Sequence, residues 1–342
     1  MDRRSFLGGA ALGGGAVLVN VLSGSAATGA GDDADVDKRR TRPSRLDNIT
    51  RSEQGMSAGG LSKARLARMH HVMAGYVERG EVPGIVTLVN RRGAVHVDAI
   101  GRQAIGGDVM RRDTIFRIAS MTKPITAAAT MILVEECKLR LDEPVDRLLP
   151  ELANRKVKVL KRLDGPLDET VPATRLHRLA ACYRFNPEAN ALELFDAANG
   201  QWSHPPAFPT GGGGLVSTID DYAAFGQMML NKGKYGRVRL LSRPTVEAMT
   251  TDQLTPEQKA AASPIIGASS GWGFGLSIVT KPDRVAAPPG RYGWNGGLGT
   301  SWWSDPKEEM VAIIMTQRTF ESADPPSVCL DFWTSAYQAI DD

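Results

Sequence analysis

Three stretches of the chain hold a serine in a pattern that could do acyl-transfer chemistry. Ser120-Met121-Thr122-Lys123 and Ser304-Asp305-Pro306-Lys307 both read Ser-x-x-Lys, and Gly267-Ala268-Ser269-Ser270-Gly271 reads Gly-x-Ser-x-Gly. The last pattern needs a strand, a sharp turn and a helix around its serine. Ser269 instead precedes Trp272-Gly273-Phe274-Gly275, which reads as the start of a strand, so a polar glycine-serine loop is the better reading. Ser304 and Lys307 flank Asp-Pro, a turn signal between two β-branched and aromatic runs, and that pair reads as structural. Ser120 is different. Pro124 follows Lys123, and proline is tolerated only in the first turn of a helix, so Ser120 belongs at or just before a helix start. Residues three apart on a helix share a face, which sets the Lys123 amine beside the Ser120 hydroxyl. The helix dipole favours negative charge developing on that oxygen. A neutral amine could then accept the hydroxyl proton, provided burial or a second cation lowers the lysine pKa. Spacing alone leaves the alternative open, a serine N-cap with a solvated lysine in the first turn. Metal chemistry has little to draw on. The chain holds five His and three well-separated Cys (Cys137, Cys182, Cys329), with no His-Glu-x-x-His.

These residues sit in a chain of 342 residues, 42% hydrophobic and 23% charged, which excludes a disordered polymer and a coiled coil. A net charge of +3 and the lack of a basic stripe interleaved with aromatics give no support to nucleic-acid binding. Residues 1–30 carry Arg3-Arg4-Ser5-Phe6-Leu7, a glycine-rich apolar run and small residues at 25–27, the pattern of a twin-arginine export signal. The expectation is therefore an exported protein, periplasmic or extracellular, with the twin-arginine export machinery as a partner. No later stretch is long and apolar enough for a stable membrane span in the mature chain. Residues 31–60 read as a flexible linker and residues 61–342 as the folded domain. Within it, 61–79 predicts a helix, since Leu66, Met69, Met73 and Tyr76 recur at helical spacing. Ile85–Val89 and Val95–Val97 predict a hairpin around Arg91-Arg92-Gly93. A long helix lies within 118–137. Thr218-Ile219-Asp220 opens another, to Leu230, and Ser242–Met249 a third. Trp272–Thr280 reads as a strand, Tyr292–Trp303 and Met310–Gln317 as a hairpin, and Phe332–Ile340 as a closing helix, while 176–200 stays ambiguous. The order predicts an α/β (α+β) fold, an antiparallel sheet covered by helices.

The run Asp113-Thr114-Ile115-Phe116-Arg117-Ile118-Ala119-Ser120-Met121-Thr122-Lys123-Pro124-Ile125-Thr126 closely resembles the nucleophile segment of the serine β-lactamase-related family. That family takes in class C β-lactamases, DD-peptidases and family VIII carboxylesterases. Val82-Pro83-Gly84, Gly213-Gly214-Leu215-Val216-Ser217-Thr218 with Asp220-Asp221, and Gly293 through Thr300 extend the resemblance over about 61–340. It implies a β-lactamase/transpeptidase-like fold, an acylated nucleophile at Ser120 and a proton acceptor at Lys123. It also implies an oxyanion hole from the backbone N–H groups of Ser120 and Gly297, and no cofactor or metal. Trp294-Asn295-Gly296 falls on the family's third motif, where β-lactamases have Lys-Thr-Gly. Trp294 lacks that positive charge, and the Trp-x-Gly form is similar to the esterase branch. These three residues would bind substrate, a small-molecule ester or acyl compound.

The family's second motif, Tyr-x-Asn, is missing: none of Tyr76, Tyr183, Tyr222, Tyr235, Tyr292 and Tyr337 begins it. The chain steps across most of the family's helical lobe near Arg175-Leu176, which leaves 138–200 as a remnant of that subdomain. The expected function is thus a serine hydrolase acting on esters through an acyl-enzyme on Ser120. The alternatives are an impaired or inactive remnant that binds acyl or peptidoglycan-like ligands, and a β-lactamase or DD-peptidase.

Overall fold

The structure is a computed structural model and describes residues 56–57, 59–144, 147, 171–204, 210–285 and 288–342. The export signal and nearly all of the linker expected from the sequence lie outside the described residues. Fifteen elements matter to the site. The first are α1 (Lys63–Glu78), β1 (Gly84–Arg91), β2 (Ala94–Gly101), α2 (Thr122–Glu135), β3 (Cys182–Asn186), β4 (Ala191–Asp196) and α3 (Ile219–Leu230). There follow α4 (Arg243–Met249), α5 (Pro256–Ile266), β5 (Ser270–Trp272), β6 (Ser277–Val279), β7 (Tyr292–Gly296), β8 (Thr300–Asp305), β9 (Met310–Thr316) and α6 (Ser327–Gln338). Seven strands form one antiparallel sheet in the order β5-β6-β7-β8-β9-β1-β2.

Both faces of the central strands are buried, and the alternation of side chains divides the core in two. Val86 and Leu88 of β1 with Val311, Ile313 and Met315 of β9 face α2 and α3. Ile85 and Val89 with Met310, Ala312 and Ile314 face α1 and α6. The α1 stripe Leu66, Met69, Met73 and Tyr76 is the buried face of that helix, as its spacing predicts. Trp302 of β8 is fully buried among the rings of Tyr222, Phe225 and Tyr292. Helix α3 starts where predicted, and Thr218 caps it: its Oγ1 accepts from the backbone N–H of Asp221.

Three expectations need correction, and one helix was not foreseen. Trp272–Thr280 is two strands, because Gly273–Leu276 turns the chain between β5 and β6, with Gly275 at φ +81°. Tyr292–Trp303 is likewise two strands, β7 and β8, folded at Gly297–Gly299. The closing helix begins earlier, at Ser327, directly after Pro326. Helix α5 is unannounced by apolar periodicity, since none of its residues is buried; a capping box of Thr255 and Gln258 with Pro256 at its start defines it instead. The ambiguous 176–200 region resolves into a short 3-10 segment (Ala173–Arg178) and the β3–β4 hairpin.

Candidate active site

Ser120 lies in a single 3-10 turn, Ala119–Met121, that runs straight into α2. It is therefore not the helix N-cap, and its hydroxyl is free to meet Lys123. The turn is held from several sides. Ile118 N donates to Leu215 O at 3.0 Å, Leu215 N donates to Thr122 Oγ1 at 3.1 Å, and the buried Tyr222 hydroxyl donates to Met121 O at 2.9 Å. Thr300 Oγ1 of β8 donates to Ile118 O at 3.3 Å. Beneath the turn, Arg117 is buried, pairs with Asp196, donates to Ala180 O and Ala197 O, and stacks over the Trp202 ring. So the β3–β4 hairpin braces the segment that carries Ser120. Ala119, next to Ser120, takes φ +45°, a left-handed conformation that costs a non-glycine residue about 1 kcal/mol or more and clusters at functional sites.

Lys123 Nζ lies 2.8 Å from Ser120 Oγ and 2.7 Å from the Gly212 carbonyl oxygen. Burial lowers its pKa below the ordinary lysine value. No carboxylate pairs with it among the described residues, so nothing opposes that shift. A neutral amine in this position donates one N–H to Gly212 and points its lone pair at the serine hydroxyl. The Gly211–Gly214 loop thus orients the Lys123 amine, a contact not visible in the sequence, where the glycine run signals only a loop.

β7 passes the same turn at close quarters. A side chain at Gly296 would collide with the Ile118 carbonyl and the Thr300 hydroxyl, so only glycine lets the strand lie against the Ser120 segment. At Gly297 a side chain would meet open space. Trp294 packs edge-to-face on Trp272 with centroids 4.5 Å apart, and its buried Nε1 has no hydrogen-bond partner. Asn295 Oδ1 accepts from Ser301 Oγ at 2.7 Å and from Trp303 Nε1 at 3.3 Å. A cavity of about 650 Å³ joins these residues: Ser120, Trp294, Asn295 and Gly297 all line it. The structure therefore brings together every residue singled out in the first and third motifs.

The other serines part from it. Ser269 also lines the cavity, but it follows α5 and precedes β5, the reverse of a strand-to-helix elbow, and its hydroxyl donates to Pro282 O. Ser304 is buried in β8. No tyrosine reaches Ser120. The Tyr76 hydroxyl donates to Asp331, Tyr222 to Met121 O and Tyr337 to Asp305, while Tyr183 accepts from Ile105 N and Tyr292 is buried in the core. Tyr235 lines a separate surface pocket with Leu88, Asn90 and Gln227.

A family model described as Beta-lactamase matches residues 69–172 and 170–327, two segments that meet at 170–172. Protein Rv1367c of Mycobacterium tuberculosis (strain ATCC 25618 / H37Rv) is 31% identical over 352 residues, covering 70% of this chain and 87% of the relative. Since 70% of 342 residues falls well short of 352, that relative carries residues with no counterpart here. Esterase EstB of Burkholderia gladioli is 38% identical over 114 residues, 31% of this chain and 28% of its own. Among solved structures, EstCE1, a hydrolase with promiscuous acyltransferase activity, superposes with a TM-score of 0.65 at 20% identity. It matches over 80% of this chain and 99% of its own. Simvastatin synthase (LovD) from Aspergillus terreus, as its LovD6 mutant, gives 0.66 at 18% identity, over 83% and 98%.

Proposed function

The chain belongs to the Beta-lactamase family, and on that premise we propose that it is a serine hydrolase of ester substrates that works through an acyl-enzyme on Ser120. The observation that carries this reading is the 2.8 Å contact between Ser120 Oγ and a lysine amine whose pKa burial lowers. Lys123 Nζ takes the hydroxyl proton as Oγ bonds to the ester carbonyl carbon. The carbonyl electron pair moves onto oxygen, toward the backbone N–H groups of Ser120 and Gly297. Lys123 then returns the proton to the departing alcohol as the C–O bond breaks, and water repeats the sequence to free Ser120. General-base assistance of this kind contributes about 10²–10⁴-fold, and a single oxyanion donor about 10²–10³-fold. Trp294 supports an ester over an anionic β-lactam, because it leaves no cation where Lys-Thr-Gly enzymes have one. The esterase and acyltransferase names among the similar proteins point the same way.

The displaced tyrosines support a second reading: an enzyme that acylates and deacylates slowly, or binds without turnover, with the helical lobe between the two matched segments absent. The leader-like start supports export through the twin-arginine machinery. The test is a fluorophosphonate probe followed by peptide mass spectrometry, with p-nitrophenyl ester hydrolysis alongside. An adduct on Ser120 with steady turnover supports the hydrolase, and an adduct without turnover supports the impaired form. A folded protein with no adduct on Ser120 defeats both catalytic readings.

A further inference from the structure

The carbonyl that fixes the Lys123 amine belongs to a run of four glycines, Gly211–Gly214. Glycine loses more conformational freedom on ordering than any other residue and has no side chain to pack, so such a loop keeps one shape only where bonds hold its backbone. Thr210 supplies local ones: its Oγ1 accepts from Gly212 N at 3.2 Å and its carbonyl from Gly214 N at 3.2 Å. A further bond comes from another element. Trp202, in the 3-10 turn Gln201–Ser203 and only 2% exposed, donates from Nε1 to Gly214 O at 3.3 Å.

The same indole is tied to the Ser120 side. The Arg117 guanidinium, three residues before Ser120, stands 5.0 Å from its ring. Asp196 joins the two: Oδ2 pairs with Arg117 Nη2, and Oδ1 accepts from Gln201 N at 2.9 Å, at the start of the turn that carries Trp202. Gly200 admits that contact, because a Cβ there would overlap Asp196 Oδ1. Val171 N donates to Trp202 O at 2.7 Å and holds the turn from its other side. Phenylalanine could fill this site and stack on Arg117, but only an indole also donates a hydrogen bond. Trp202 does not line the Ser120 cavity, so any effect on acyl transfer passes through Arg117 and the glycine loop.

We propose that Trp202 is a positioning residue for acyl transfer: anchored on Arg117 and Asp196, it holds the glycine loop through Gly214 O and thereby keeps the Lys123 amine aimed at the Ser120 hydroxyl. The proposal rests on the hydrolase reading, in which that amine takes the serine proton. The path is continuous. Asp196 fixes both Arg117 and the Trp202 turn, Trp202 fixes Gly214, and two residues back the Gly212 carbonyl accepts from Lys123 Nζ at 2.7 Å. Loss of the indole N–H frees the loop without removing any group that touches the ester. The amine then spends less time in line with Ser120 Oγ, and the step slows while substrate binding is kept.

Trp202→Phe in the full chain tests this, with fluorophosphonate labelling of Ser120 followed by intact mass against time and p-nitrophenyl ester kinetics alongside. The expected result is a labelling rate and a kcat about 10-fold below wild type, with KM within about twofold and labelling still running to completion. A residue that only supported the fold would give the opposite pattern: an incomplete end point from the unfolded share, with the wild-type rate in the rest. Ser304→Ala is the control, since it takes the acceptor from another buried indole, that of Trp302, and should label at the wild-type rate. Site-specific replacement of the Trp202 indole by benzothiophene keeps the ring shape and removes only the N–H. It should slow labelling as Trp202→Phe does, and it decides the matter if Trp202→Phe does not fold. A wild-type labelling rate in the benzothiophene protein, or a loss confined to the end point, overturns the proposal. Absence of any label on wild-type Ser120 defeats the hydrolase reading and this proposal with it, whereas a labelled wild type matched in rate by the variants defeats this proposal alone.

Discussion

The same four-residue pattern occurs in two regions of this molecule and comes to opposite ends. At Ser120–Lys123 the backbone is a helical turn, so positions three apart face each other and the amine lies 2.8 Å from the hydroxyl. At Ser304–Lys307 the backbone is a strand end followed by a turn. Ser304 is buried in β8, where it accepts from Trp302 Nε1 at 3.1 Å, and Lys307 stands exposed beyond the strand. The first lysine is half-buried, and burial lowers its pKa; the second is solvated. Spacing becomes chemistry only where the backbone folds it onto one face and the fold takes water away.

Exchanging the serines breaks the comparison most sharply. Ser120→Ala should cut ester kcat/KM by at least about 10³-fold and abolish phosphonate labelling, while the melting temperature holds. Ser304→Ala should keep activity within a small factor. It strips the acceptor from a buried indole N–H, so denaturant titration should show a loss of about 1–3 kcal/mol. Comparable loss of activity in both variants would sink the distinction.

Replacing the lysines comes next. Lys123→Met should lower kcat/KM by about 10²–10⁴-fold. The sign of its effect on stability is opposite to its effect on rate. A lysine whose folded pKa lies below its unfolded value releases its proton more readily when folded, so it penalises folding wherever both states are protonated. The penalty fades as pH rises through the folded pKa toward the unfolded one. Lys123→Met should therefore raise the melting temperature at neutral pH, with the gain over wild type shrinking in alkaline buffer. In wild type, kcat/KM should climb with pH on a single ionisation below the ordinary lysine range; a flat profile from neutral to alkaline pH would remove Lys123 as the base.

The two adjacent glycines of the third motif give a smaller effect. Gly296→Ala drives a methyl into Ile118 O and Thr300 Oγ1, forcing β7 off the nucleophile turn. A stability loss of about 1–3 kcal/mol and a tenfold or greater fall in rate are expected. Gly297→Ala points into open space and should cost little stability. Equal destabilisation by the two would show that the strand does not depend on that contact.

What the sequence made legible follows the same division. The stripe Leu66, Met69, Met73, Tyr76, the helix start at Thr218 and the Ser120–Lys123 face were all readable, because each is fixed by local periodicity or by a neighbour a few residues away. Helix α5 was not, since it buries no side chain and leaves no apolar rhythm. The Gly212 carbonyl at Lys123 was not legible either. It is a contact across 89 residues, set by how the Gly211–Gly214 loop closes on the start of α2.

The smallest effect completes the comparison. Lys307→Gln should change stability by less than about 0.5 kcal/mol and leave kcat/KM within error. The turn it occupies is held by Asp305, whose Oδ1 accepts the backbone N–H groups of Lys307 and Glu308 at 2.9 and 3.3 Å and whose Oδ2 accepts the Tyr337 hydroxyl at 2.7 Å. Those bonds use the backbone of residue 307, so any residue with an N–H preserves them. The Lys307 ammonium forms no ion pair among the described residues, and water solvates it in folded and unfolded chain alike. A rate loss from Lys307→Gln that resembled Lys123→Met would mean that the Ser-x-x-Lys pattern acts independently of the backbone carrying it. The strand geometry of β8 denies this: Ser304 already has its oxygen committed to the core indole, and no lysine three positions on can turn back to reach it.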